Sequence, residues 1–115
     1  MDKRLRTAFM ITADAIRPRG VFRGIGGSLR DFLDSQTDQN DPRRVAVGIF
    51  EYFCLEDECF NGFRAGVELA VGFLDKLLDG PEGEYQRVQS LKDLKAVLQT
   101  GNLEEIRKWI DANYR

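Results

Sequence analysis

Few side chains in this chain can perform acid–base or nucleophilic chemistry at neutral pH. Its 115 residues include no histidine, so the usual general base and the commonest metal ligand are both absent. Catalysis by Ser-His-Asp or Cys-His groups is excluded within the chain, and so are zinc sites that contain histidine. The remaining candidates are two cysteines, several carboxylates and one glycine-rich segment.

The two cysteines, Cys54 and Cys59, enclose four residues, a spacing that differs from the redox motif C-x-x-C. On a continuous helix they would point about 140° apart, which is poor geometry for a disulfide. No further thiol is present to complete a four-ligand metal site. We therefore interpret both as structural thiols of a reducing compartment and expect a cytoplasmic protein without metals or cofactors.

Two carboxylates could form a hydrolytic pair, which needs one acid in apolar surroundings. Glu51 lies among aromatic residues, and Glu68 lies in an apolar segment. Glu68 also follows Arg64 by four residues, however, so an ion pair along a helix explains it more simply. We expect no catalytic residue and predict that the protein is not an enzyme.

Acidic residues also cluster in two short segments. The triplet Glu56, Asp57, Glu58 precedes a predicted helix, where negative charge is favourable to the helix dipole. A second set matches alternate positions of a calcium loop: Asp34, Gln36, Asp38 and Asn40. Gln39 and Val45 occupy the positions where such a loop needs glycine and a bidentate glutamate, so this pattern does not predict a calcium site.

The glycine-rich segment from Arg23 to Ser28 precedes a predicted helix and could cradle an anion. It lacks both the Gly-Lys-Ser/Thr ending and the acidic partner of nucleotide-binding loops. A flexible connection over residues 18–28 is the favoured interpretation, and a second connection is expected at residues 79–89.

The charges are segregated along the chain. Residues 1–30 carry seven basic and two acidic side chains, a net charge of +5, while residues 31–115 carry −7. Such asymmetry indicates either contact with a charged partner or a basic helix packed on an acidic body. The candidate anion or nucleic-acid contacts are Lys3, Arg4, Arg6, Arg19, Arg23 and Arg30.

The periodicity of apolar residues predicts a single helical domain over residues 1–115, built from five to six helices. The first contains Leu5, Ala8, Phe9, Thr12 and Ile16 at helical spacing and ends before Pro18. A second should begin at Ser28. Asp41 followed by Pro42 predicts the start of a third, which should extend to about Leu55. Because Val45–Phe50 is rich in β-branched residues, a strand remains an alternative for residues 45–53.

The fourth predicted helix, Phe60 to Leu78, is apolar on most of its circumference and should therefore be central. Gly62, Gly66 and Ala70 would let another backbone approach it closely. It contains four charged residues, too many for a segment that spans lipid, so we expect no contact with a membrane.

Two short helices should follow, beginning at Ser90 and at Asn102 and separated by Gly101. The segment LKAVLQTGNLEEIRKWI resembles the helix-turn-helix portion of an ankyrin repeat, which implies a helical hairpin. The resemblance covers roughly a seventh of the chain and occurs once, whereas ankyrin arrays need several stacked copies. It implies no function.

Without a catalytic signature, the sequence favours a protein that binds another macromolecule. Its size and composition are typical of inhibitors from phages and mobile elements, including anti-CRISPR-type proteins. In that case an acidic and aromatic surface would occupy the basic groove of a larger nucleic-acid-handling enzyme. Its predicted residues are Glu51, Tyr52, Glu56, Asp57 and Glu58. The alternatives are a nucleic-acid-binding accessory protein that uses the basic N-terminal third, and a structural homodimer.

Overall fold

The computed structural model of the protein describes residues 3–16, 26–53, 62–79 and 88–114. Regular structure in these residues consists of six helices, and no strand occurs among them. The helices are α1 (Lys3–Ile16), α2 (Gly26–Ser35), α3 (Pro42–Glu51), α4 (Gly62–Leu78), α5 (Gln89–Gln99) and α6 (Leu103–Tyr114). The predicted all-α bundle is confirmed. None of the described helices is both long and apolar enough to cross a membrane.

Helix α3 begins as the cap chemistry predicts. The Asp41 carboxylate accepts a hydrogen bond from the backbone N–H of Arg43 at 3.0 Å, and Pro42 takes the first helical position. Burial of five apolar side chains, including those of Val45 and Ile49, offsets the low helix propensity of the β-branched residues. The strand alternative is therefore wrong. The helix ends at Glu51, and Leu55 lies outside the described residues.

Helix α4 is central, as predicted, because it contacts α1, α3 and α5. Three of its large side chains, Leu69, Phe73 and Leu74, are almost completely removed from solvent. The first helix also faces the core as its periodicity indicates, with Leu5 and Phe9 at 0% exposure. The two helices bury their apolar faces against each other and leave the other face of α1 exposed to solvent.

The C-terminal hairpin turns at Gly101, whose φ of +67° lies in the left-handed region that favours glycine. Asn102 then caps α6, because its side-chain oxygen accepts a hydrogen bond from the Glu105 N–H at 3.1 Å. The hairpin reaches α4 through α5, where Lys95 forms an ion pair with Asp75 of α4. The predicted hairpin and its placement against the central helix are confirmed.

The predicted starts of two helices were wrong. Helix α2 begins at Gly26, so Ser28 lies inside its first turn, and residues 26–28 belong to the helix rather than to a connection. Helix α5 begins at Gln89, and its backbone hydrogen bonds start from the Val88 carbonyl rather than from a Ser90 cap. The Asp93 carboxylate accepts a hydrogen bond from the Gln89 side-chain amide at 2.9 Å.

Candidate interaction surfaces

Helix α1 is anchored to the rest of the bundle by an aromatic cluster. The Phe9 ring lies 5.3 Å from that of Phe32 in α2 and 6.4 Å from that of Phe53, measured between ring centroids. All three side chains are almost completely buried. Aromatic pairs at these separations contribute about 0.5–1.5 kcal/mol beyond the burial of their area. The cluster therefore fixes one side of α1.

A close contact between Thr12 and Gly72 joins α1 to α4. A Cβ atom built on Gly72 would lie only 2.5 Å from Thr12 Cγ2, closer than real Cβ contacts allow. The Thr12 hydroxyl is buried and donates a hydrogen bond to the Ala8 carbonyl at 2.8 Å, so the Thr12 side chain is held in place. Glycine at position 72 lets the two helices approach at this point.

The exposed face of α1 carries a basic surface, defined here by Lys3, Arg4 and Arg6, and all three side chains are exposed. Further along the same helix, the Ile11 side chain is 48% exposed. No other large hydrophobic side chain among the described residues is exposed. Three of the predicted cations thus lie in the first turn of α1, on its exposed half, and Ile11 lies on the same side of the helix as Arg4, about two turns further on.

The other predicted cations are not part of this surface. Arg30 is exposed but belongs to α2, where Asp31 follows it directly. Arg19 and Arg23 lie outside the described residues. The described basic surface is therefore confined to α1.

Of the predicted acidic and aromatic surface, the structure describes only Glu51 and Tyr52, at the end of α3, and both are half-buried. The Tyr52 ring packs against Phe53, with a centroid separation of 4.9 Å, and against Phe32 at 5.6 Å. Tyr52 thus extends the aromatic cluster toward the surface. The triplet Glu56, Asp57, Glu58 lies outside the described residues.

An acidic surface that the sequence analysis did not single out lies on α2 and the turn after it. We define it by Asp31, Asp34 and Asp38, all exposed. The last two line a shallow groove of about 290 Å³. Every residue of its wall is polar: Asp34, Ser35, Gln36, Thr37, Asp38 and Gln39. Among the residues that the structure describes, no group of three or more potential ligands could hold a metal ion.

Asp41 and Arg43 form a polar cluster at the start of α3, within electrostatic range of Tyr114 at the end of α6. The Arg43 guanidinium donates two hydrogen bonds to the Asp41 carboxylate, at 3.1 and 3.2 Å. Partial burial by itself would raise the pKa of Asp41, but the hydrogen bonds and charge of Arg43 outweigh it and lower that pKa. Burial raises the pKa of Tyr114, which lies within electrostatic range of Arg43. Asp41 is therefore an ionised N-cap of α3. The sequence predicted this cap but not the ion pair between Asp41 and Arg43.

No protein-family model matches the chain, and comparison with curated proteins and with solved structures gives no match.

Proposed function

We propose that the protein acts by binding another protein through the exposed face of α1, and that it does so without catalysing a reaction. The observation that carries this proposal is the combination of the basic surface with the exposed side chain of Ile11 on one helix. Apolar side chains supply contact energy in protein interfaces, and surrounding charges steer the encounter and select the partner. The expected partner presents carboxylates around an apolar recess.

The anchoring of α1 supports this proposal. The Phe9 cluster and the contact between Thr12 and Gly72 hold the buried side of the helix, so its exposed side is presented in a fixed orientation. A preorganised helix loses less conformational entropy on binding than a segment that must first become ordered. We propose the cytoplasm as the place of this interaction, because a chain with only two cysteines suits a reducing compartment.

A protein partner is favoured over a nucleic acid for two reasons. Ile11 offers an apolar contact that a phosphate backbone does not use. The chain also carries a net charge of −2, so its overall field repels polyanions. Binding of DNA or RNA would show itself by an affinity that falls steeply with salt concentration.

The direct test compares capture of partners from the source cell or its host by three tagged proteins. These are the wild type, Lys3→Glu/Arg6→Glu, and the control Arg107→Glu/Lys108→Glu, which reverses two exposed charges on α6. A partner that depends on α1 is captured by the wild type and the control and lost by the first variant. Equal capture by all three proteins would remove the proposal. If nucleic acid is retained instead of protein, the chain is the nucleic-acid-binding accessory protein.

The second candidate function is the predicted inhibitor of a nucleic-acid-handling enzyme, of the kind found in phages and mobile elements. The partial exposure of Tyr52 beside Glu51 favours it, because a half-exposed aromatic ring next to a carboxylate suits a basic groove. Charge reversal at Glu56, Asp57 and Glu58 should then weaken capture of the partner without changing the helical circular dichroism signal. Unchanged capture would eliminate this candidate.

A further inference from the structure

One face of α1 combines an apolar centre with charges of opposite sign at its two ends. Successive residues of an α-helix are rotated by about 100°, so six exposed residues share about a third of the circumference of α1: Lys3, Arg4, Thr7, Ile11, Asp14 and Ala15. Ile11 stands in the middle of this face, and no other large hydrophobic side chain among the described residues is exposed. Because its cations precede Ile11 and its carboxylate follows it, the face is complementary in charge to a reversed copy of itself.

The residues around Ile11 allow another helix to come close. Thr7 and Ala15 lie one turn before and one turn after Ile11, and both have small side chains. The Thr7 hydroxyl donates a hydrogen bond to the Lys3 carbonyl at 2.8 Å. Since this donor is already satisfied within α1, an apolar side chain that covers Thr7 does not leave the hydroxyl hydrogen without an acceptor. Thr7 is therefore a suitable contact for an isoleucine of another molecule.

We propose that two copies of the chain associate through this face, with their α1 helices antiparallel and related by a two-fold axis. The axis crosses α1 at the level of Phe9, halfway between Thr7 and Ile11, so Ile11 of each copy packs on Thr7 of the other. The same reversal brings Lys3 of each copy beside Asp14 of the other. A carboxylate has two oxygens, so Asp14 can accept this hydrogen bond in addition to its interaction within its own chain.

This arrangement uses the α1 face of the proposed function and therefore rests on that face being available for binding. The occupant is a second copy because the face itself supplies the isoleucine, the small residue that receives it and both charges. A contact made by one helix of 14 residues is smaller than a standard interface, which buries about 800 Å² per partner. The dimer should therefore be weak, and it would compete with any other protein for α1.

Sedimentation equilibrium over a range of protein concentrations tests the apolar centre of the interface. The wild type should show a monomer–dimer equilibrium. Ile11→Asp should raise the dimer dissociation constant by at least about tenfold, because the two-fold axis places the new carboxylate in the interface twice. Ala112→Asp is the matched control, because it adds the same side chain at an exposed position of α6, and it should dimerise like the wild type. Equal dissociation constants for the wild type and Ile11→Asp would overturn the inference, and so would a wild type that stays monomeric at about 1 mM.

Charge reversal tests the antiparallel direction. Lys3 and Asp14 are about 16 Å apart along α1, so they cannot pair within one copy. Lys3→Glu and Asp14→Lys should each raise the dissociation constant several-fold, because like charges then face each other across the axis. Lys3→Glu/Asp14→Lys should return it close to the wild-type value. A double variant that dimerises no better than either single variant would overturn the antiparallel arrangement.

Circular dichroism and thermal melting establish that every variant is folded before it is compared. If the wild type is monomeric but partner capture still depends on α1, the proposed function stands and this inference fails. If the wild type dimerises through Ile11 but no captured partner depends on α1, this inference stands and the proposed function fails.

Discussion

Helices α1 and α6 both lie at the outside of the bundle, but they are attached to it in different ways. Helix α6 follows α5 directly and is positioned by chemistry within the turn, at Gly101 and Asn102. Helix α1 is held by a contact between Thr12 and Gly72, which are 60 residues apart in the chain. The comparison shows that a local attachment can be recognised from sequence, whereas a distant one depends on the fit of two surfaces.

The largest effect on stability is expected when the contact between Thr12 and Gly72 is disturbed. Gly72→Ala places a methyl group against Thr12 Cγ2, so we expect overpacking to destabilise the protein by about 1–3 kcal/mol. The measurement is the free energy of unfolding from urea denaturation. Gly48→Ala in α3 is the control, because the added Cβ there makes only ordinary contacts at 3.6 Å. Gly48→Ala should stabilise the protein by about 0.5–1 kcal/mol through its better helix propensity.

The energy of the contact between Thr12 and Gly72 can be measured by shortening the Thr12 side chain. Thr12→Ser removes the Cγ2 methyl group but keeps the hydroxyl that bonds to the Ala8 carbonyl. In this background Gly72→Ala should lose most of its cost, which a double-mutant cycle would report as an interaction energy of about 0.5–3 kcal/mol. If the two substitutions are additive, the two side chains do not limit the approach of α1 to α4.

A smaller effect on stability is expected when the N-cap of α3 is removed. Asp41→Ala removes the acceptor for the Arg43 N–H and the partner of its guanidinium, at a cost of about 0.5–2 kcal/mol. Asp41→Asn keeps the cap but not the charge, so it should cost less. Thermal unfolding at neutral pH would rank the two variants, and equal losses would mean that the charge rather than the cap dominates.

The charge of Asp41 also predicts a pH dependence. Its pKa in the folded state is lowered, so its ionisation stabilises the protein fully above its unfolded pKa of about 3.9. This contribution is lost as the pH falls through the lower folded value. The difference in stability between the wild type and Asp41→Asn should therefore shrink in acid below about pH 4 and stay constant from pH 5 to pH 7. Chemical denaturation across this range is the measurement, and a difference independent of pH would contradict it.

The smallest effect is expected at the turn that attaches α6. Gly101→Ala forces a residue with a Cβ into the left-handed region, at a cost of about 1 kcal/mol. No other atom lies within 4 Å of the Cβ position, so the cost should come from the backbone alone. Gly101→Asn should cost less, because asparagine tolerates this conformation. Equal melting temperatures for the wild type and Gly101→Ala would contradict the importance of this turn.

Sequence predicted those parts of the fold that depend on residues close together in the chain. The Asp41 cap and the Gly101 turn each involve only a few consecutive residues, and the apolar periodicity of α4 lies within one continuous helix; the structure confirms all three. The cap patterns at Ser28 and Ser90 failed, because α2 already begins at Gly26 and α5 begins at Gln89 with Val88 as its N-cap and no side-chain cap.

A close approach along Gly62, Gly66 and Ala70 stays a prediction, and the structure shows a close approach at Gly72, which the sequence did not single out. Sequence could not distinguish these positions, because the decisive group is Thr12 on another helix. The acidic surface on α2 was missed for a related reason. Asp34 and Asp38 were weighed as calcium ligands, and their role as part of a charged surface became visible only with the fold.

The distance along the chain between Thr12 and Gly72 also has a consequence for the order of folding. Helix α1 precedes α4 in the chain, so Thr12 cannot pack against Gly72 until the residues of α4 have been synthesised, whereas Phe9 can meet Phe32 and Phe53 earlier. Closing so long a loop carries an entropic cost that the α5–α6 hairpin avoids. When the complete chain refolds, we therefore expect the α5–α6 hairpin to form early and the contact between α1 and α4 to form late.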